Sequence, residues 1–195
     1  DLVINSMFPS KGFFVDLAAN DYKYISNTYS LETFAGWNGI CIEPNSRYWE
    51  GLLKRRCTVV SAVVSEVKNE VVDFITSTGV LGGIIADDTD NKLVEKGSVV
   101  KQFYTIDLFE IFKQFSVPET IHYISLDVEG AEERIIKSFP FESYTVYAMT
   151  IERPSEIILA ILKEQQFVEV GILGSFGESV YLNKKTPNFI QSLHA

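Results

Sequence analysis

Phe13-Phe14-Val15-Asp16-Leu17-Ala18-Ala19-Asn20-Asp21 decides the reading of this chain. An apolar run leads through an acid and then breaks into small and polar residues. A strand buried on both faces reads as a near-continuous apolar run, because helices cover both sides of a parallel sheet. Alanines directly after such a strand let the backbone turn tightly and approach a ligand. In open parallel sheets ligands bind beyond the carboxyl ends of the strands. Residues that carry chemistry are therefore expected just after strands.

Outward from this stretch the pattern repeats. Gly39 to Glu43 reads as a second buried strand, stopped by Pro44, and Asn45 can cap a helix over Arg47 to Lys54. Ile25 to Phe34 reads as a helix capped by Ser26 or Asn27, and Val59 to Val64 as a third strand. Val71 to Ile75 and Val99 to Ile106 read as further strands around a polar loop from Asp87 to Gly97. A helix over Leu108 to Phe115, capped by Asp107, precedes a clear strand from Ile121 to Asp127. Then come a helix from Ala131 to Ser138, a strand from Tyr144 to Glu152, a helix from Ser155 to Gln165, and a hairpin of Phe167 to Leu173 with Val180 to Asn183 around Gly174 to Gly177. Strands alternating with helices predict an α/β fold, and residues 1–195 read as one domain.

The 195 residues are 46% hydrophobic, which excludes disorder, and carry a formal net charge of −9. That charge argues against nucleic acid as a partner. No apolar run approaches the roughly 20 residues of a membrane span. The chain begins at Asp1 with no signal-like segment and reads as a piece excised from a longer protein, of cytoplasm or an organelle lumen. Lys54, Arg55 and Arg56 read as a solvated helix end. Cys41 and Cys57 lie in or beside apolar strands and read as buried free thiols, with a bridge open if those strands adjoin.

Three strand ends gather candidate chemistry. Asp16 to Asp21 follows the first strand. Glu43 ends the second, where an ionised carboxylate can accept both hydroxyls of a ribose. Asp127-Val128-Glu129-Gly130-Ala131-Glu132 sets three acids around a strand end and a helix start, so each also has a structural reading at the helix dipole. Asp127 reads as a general base, with Glu129 second and Glu152 more distant. His122 reads as a strand histidine facing away from Asp127, and His194 lies near the end of the chain. Two histidines and two separated cysteines form no zinc pattern, so no metal is expected. Asp87 to Asn91 lacks the glycine and distal glutamate of a calcium loop and reads as a solvated acidic loop or a lid.

At these residues the chain resembles the FkbM family of methyltransferases. The likeness rests on Phe14 to Asp21, Gly36-Trp37-Asn38-Gly39-Ile40-Cys41-Ile42-Glu43-Pro44-Asn45, Ala62-Val63-Val64-Ser65, Ile124 to Glu132, and Phe139-Pro140-Phe141. It implies a Rossmann-like class I methyltransferase sheet of seven strands in the order 3-2-1-4-5-7-6, with the last strand antiparallel and helices on both faces. It also implies S-adenosyl-L-methionine as cofactor. Carried over, Asp16, Ala18, Ala19, Asn20 and Asp21 would hold its methionine and sulfonium part. Glu43, with Pro44 and Asn45, would hold the ribose, and Ala62 and Val63 would lie near the adenine. The implied reaction is O-methylation of a small molecule or glycan. Two departures matter. The family's glycines are here Ala18, tolerable at negative φ, and Tyr22, strained at positive φ. They leave open a second reading, a non-catalytic binding or scaffold protein on a degenerate fold. A nicotinamide dehydrogenase is disfavoured by the missing GxGxxG fingerprint.

Overall fold

The protein is described by a computed structural model over residues 2–8, 11–173 and 177–189. Along the chain run α1 (Leu2–Met7), β1 (Phe13–Leu17), α2 (Tyr29–Thr33), β2 (Asn38–Ile42), α3 (Trp49–Leu52), β3 (Thr58–Val60), β4 (Val63–Val64) and β5 (Val71–Ile75). After a 3₁₀ turn at Gly79–Leu81 come β6 (Val100–Ile106), α4 (Leu108–Gln114), β7 (Thr120–Leu126), α5 (Glu132–Lys137), β8 (Thr145–Glu152), α6 (Glu156–Glu164), β9 (Phe167–Leu173) and β10 (Glu178–Asn183).

The large sheet has seven strands in the order β3-β2-β1-β7-β8-β10-β9. Leaving aside β4, β5 and β6, which form a separate three-stranded sheet, this is the expected order 3-2-1-4-5-7-6. β1 pairs in parallel with β2 and β7, and β10 runs antiparallel between β8 and β9. Alternation splits the side chains between two cores. Val15, Leu17, Ile124 and Leu126 face α4, α5 and α6 through Ile111, Phe112, Ile135 and Leu162. Phe14, Cys41 and Tyr123 face the other side, with Ile4 of α1, Leu31 of α2 and Leu52 of α3. Helices thus cover both faces, which is why the strands could be apolar throughout.

The structure departs from the sequence reading in several places. Val59 to Val64 is not one strand: β3 pairs with β2, the chain leaves the large sheet at Ser61-Ala62, and β4 pairs with β6. α2 begins at Tyr29 rather than Ile25, because Ser26 Oγ accepts the Thr28 and Tyr29 amides while Asn27 is drawn to Ser125 and Glu178. Cys41 and Cys57 are not free thiols but a disulfide with Cα atoms 6.1 Å apart, since β2 and β3 adjoin. Arg55 is not a solvated helix end but buried. The Asp87 to Asn91 loop keeps its acids Asp87, Asp88 and Asp90 exposed, as read, while Thr89 is buried with its hydroxyl donating to Ile84 O at 2.7 Å. The loop lies so close to Gly130, at φ 94°, that a Cβ there would meet Asp90 N at 2.5 Å. The cap at Asp107 is as read, accepting the Glu110 amide, whereas Ser155, read as the first helical residue, lies one position before α6 and caps it by accepting the Ile158 amide. The turn at residues 174–176 and His194 lie outside the described residues.

Candidate active site

The turn after β1 is held by its neighbours in an uncommon conformation. Ala18 has φ 55° and Asn20 φ 45°. The left-handed region costs an L-residue roughly 1–2 kcal/mol, least for asparagine. The strain expected at Tyr22 thus falls on Ala18 instead, where the sequence reading took φ to be negative. Asn20 Nδ2 donates to Ala18 O at 3.0 Å, the Ala19 amide to Ile42 O at 3.2 Å, and the Asn20 amide to Glu43 Oε2 at 3.0 Å. These bonds tie the turn to the end of β2. Tyr22 packs on Gly51 of α3, beneath Lys54 Nζ, and lines neither of the two cavities that flank the turn.

Glu43 is 3% exposed. Its Oε1 accepts the Asn45 amide at 2.7 Å and its Oε2 the Asn20 amide at 3.0 Å. Burial outweighs these bonds and pushes its carboxyl up to about 7. Each oxygen keeps a lone pair for a further donor. Beside Glu43 opens a cavity of about 540 Å³, with apolar walls from Val63, Ile84, Val128 and Ala131. Ala18, Asn20, Pro44, Asn45 and Ala62 also line it. Asn45 is anchored by Nδ2 donating to Thr76 O at 3.0 Å.

A second cavity of about 950 Å³ adjoins the first along Leu17, Ala18 and Asn20. Asp16, Ala19, Asp127, Glu129, Glu152 and Glu178 line it. Asp127 Oδ1 is buried without a hydrogen-bond partner. Burial first, then the nearby Glu152, Glu129 and Glu132, drive the Asp127 carboxyl up to about 8. Glu129, at φ 56°, is raised to about 7 by burial and by Glu152, against the pull of Arg153. Glu132 lies outside this cavity, its Oε1 accepting the Val128 and Gly130 amides, which satisfies the start of α5. Among the described residues, Asp127, Glu132 and Glu152 bring carboxylate oxygens within 4.8 Å of one another, a spacing open to a cation.

Asp16 plays a larger part than a strand-end acid. Its Oδ2 accepts from Thr28 Oγ1 at 2.5 Å and lies 3.8 Å from Arg55 Nη1. Arg55 also donates to Glu32, Ser26 and Thr28. Burial still raises the Asp16 carboxyl to about 6. Asp21 turns away, its Oδ1 capping the Lys23 and Tyr24 amides, and lines neither cavity. His122 sits at the far end of β1, accepting the Phe13 amide at 3.2 Å amid Phe8, Trp37 and Tyr147, and burial lowers its pKa. Asn27, Ser125, Glu178 and the Val80-Leu81 pair also line the second cavity, and no sequence signal pointed to them. Only the antiparallel insertion of β10 beside β8 brings Glu178 here.

A family model described as the methyltransferase FkbM domain matches residues 16–172. No curated protein matches the chain. Among solved structures, a human methyltransferase 10 domain containing protein is similar at 12% identity and TM-score 0.45, over 95% of this chain and 78% of that one. A precorrin-6y C5,15-methyltransferase from Geobacter metallireducens GS-15 is similar at 11% identity and TM-score 0.44, over 93% and 83%. Among the described residues no helix is long and apolar enough to cross a membrane. The family match spans well over half of the chain and takes in Glu43 and Asp127, and the chain therefore belongs to the FkbM methyltransferases, enzymes dependent on S-adenosylmethionine.

Proposed function

We propose that this protein transfers a methyl group from S-adenosyl-L-methionine to a hydroxyl of a carbohydrate or similar small molecule. One observation supports this most: two cavities meet at the Ala18 to Asn20 turn, one built around the buried Glu43 and the other around Asp127. The first suits a nucleoside. Its apolar walls at Val63, Ile84 and Ala131 fit the faces of a base, and Glu43 offers its free lone pairs to a ribose diol. Pro44, Asn45 and Ala62 complete that wall, and Ala18, Ala19 and Asn20 would cup the amino-acid end.

Bound there, the cofactor supplies an electrophilic methyl on a positively charged sulfur. The chain has two tasks. The first is to hold the acceptor oxygen against that methyl; positioning of this kind is worth up to about 7–11 kcal/mol in ideal cases. The second is to take the hydroxyl proton late in the transfer. Asp127 serves there as base, with Glu129 beside it. A carboxyl raised to about 8 is a far stronger base than an ordinary one, so proton transfer is less uphill. Tyr22 fills neither cavity, which favours a catalytic reading over a degenerate one, although Ala18 takes a left-handed backbone in the turn.

Thermal shift with S-adenosylhomocysteine tests the assignment. At 100 times its Kd the ligand is expected to stabilise the fold by about 2.7 kcal/mol, and Glu43→Ala should abolish the shift. No shift at millimolar ligand overturns it.

A further inference from the structure

The lining of the second cavity bears on the chemistry of the acceptor, provided that the methyltransferase reading of the site holds. Among the described residues its charged lining is Asp16, Asp127, Glu129, Glu152 and Glu178, with no lysine, arginine or histidine. Two of these acids are already answered within the fold, Asp16 by Thr28 and Arg55, and Glu178 by Asn27. Asp127 and Glu129 remain, beside Glu152, one oxygen of which is paired with Arg153. The basic group near them is Arg153, whose Nη2 lies 2.8 Å from Glu152 and 3.9 Å from Glu129. Arg153 is also engaged by Asp90, is half-exposed, and is not among the residues lining this cavity. Asp127 Oδ1 is buried without a hydrogen-bond donor, and its neighbour Glu152 is itself an acid. The rest of the lining includes a chemically distinct set. Ile25, Val80 and Leu81 form it and are 54%, 42% and 59% exposed. Apolar side chains of that size gain from cover by an apolar ligand face.

We propose that the acceptor is an alcohol bearing a protonated amine next to its hydroxyl and an apolar face, an amino alcohol or amino sugar, and that anionic acceptors are refused. The ammonium would sit among Asp127, Glu129 and Glu152, and the ring or chain against Ile25, Val80 and Leu81. Burial first, and then the neighbouring acids, keep Asp127 protonated; a positive charge there offsets both, so the same group that is recognised also readies the base. A phosphate or carboxylate would instead meet acceptor oxygens and like charge, with no basic side chain in the lining to receive it.

Three probes share one ring and differ in charge: trans-2-aminocyclohexanol, trans-1,2-cyclohexanediol and trans-2-hydroxycyclohexanecarboxylate. Their affinity for the protein loaded with S-adenosylhomocysteine is measured by ligand-observed NMR, and methyl transfer by mass spectrometry. The amine is expected to bind at least tenfold more tightly than the diol, and the carboxylate not at all. Glu152→Gln should shrink the amine preference, and Leu81→Ser should weaken amine and diol alike. Equal binding of amine and diol, or binding of the carboxylate, overturns the assignment. So does a magnesium ion that binds alone and displaces the amine, since the acids would then form a metal site. The thermal shift separates two failures. With the homocysteine shift present and no amine preference, only the acceptor class falls; without the shift, the cofactor site falls with it.

Discussion

Asp16 of β1 and Arg55 of the segment before β3 face each other at 3.8 Å, both side chains nearly inaccessible to solvent. Glu32 of α2 closes the set, 3.2 Å from Arg55 Nε, and its Oε1 also accepts the Arg56 amide at 2.6 Å. The network thus staples α2 and the start of β3 to the underside of the site. Buried pairs add little net stability, but removing one partner strands the others. Arg55→Met is expected to destabilise the protein by about 3–5 kcal/mol, read as a fall in the urea midpoint. A change below about 1 kcal/mol would show that the network is solvated in solution.

Asp127→Asn should lower kcat by about 10²–10⁴-fold while leaving the affinity for S-adenosylhomocysteine nearly unchanged. In the parent, the base form appears as pH rises through the Asp127 value of about 8. The rate with a neutral acceptor should therefore climb from pH 6 to pH 8 and level above. A rate flat across that range would remove Asp127 as the base.

Glu43 must be ionised to accept two hydroxyls, and its carboxyl is raised to about 7. Binding of S-adenosylhomocysteine should weaken as pH falls from 8 to 6, and Glu43→Gln should remove that dependence along with most of the affinity. Calorimetry across that interval checks both.

The same raised acids set the stability of the unliganded protein. Glu43 and Asp127 titrate at about 7 and about 8 when folded, against 4.5 and 3.8 ordinarily. The folded state therefore holds protons more tightly than the unfolded one, and its stability falls as pH rises between about 4 and 8. Urea denaturation should give a higher midpoint at pH 5 than at pH 8.

The Cys41–Cys57 bond closes a loop of sequence separation 16 that contains Glu43 and α3. Reduction is expected to cost roughly 3 kcal/mol by loop entropy. A Tm unmoved by reductant, or two thiols titrating in the untreated protein, would show the bond is not formed. Ala18→Gly, at φ 55°, should raise stability by up to about 1 kcal/mol by relieving the left-handed alanine.

Much of this architecture was readable along the chain. Apolar strand runs, the capping residue Asp107, and acids placed just after strands reflect local constraints: side-chain periodicity, hydrogen bonds to free helix amides, and the geometry of a parallel sheet. Glu43 and Asp127 belong to that class, since each follows its own strand by one residue. What no local pattern contains is pairing between distant segments. Arg55 looked like a solvated helix end until Glu32 and Asp16 closed around it. The cysteines became a disulfide because β2 and β3 lie side by side. Glu178 reached the acceptor cavity because β10 inserts beside β8. Burial and electrostatic coupling are properties of neighbours in space, so the sequence alone could name the acids of the site, but only the tertiary structure decided which are neutralised and which still lack a partner.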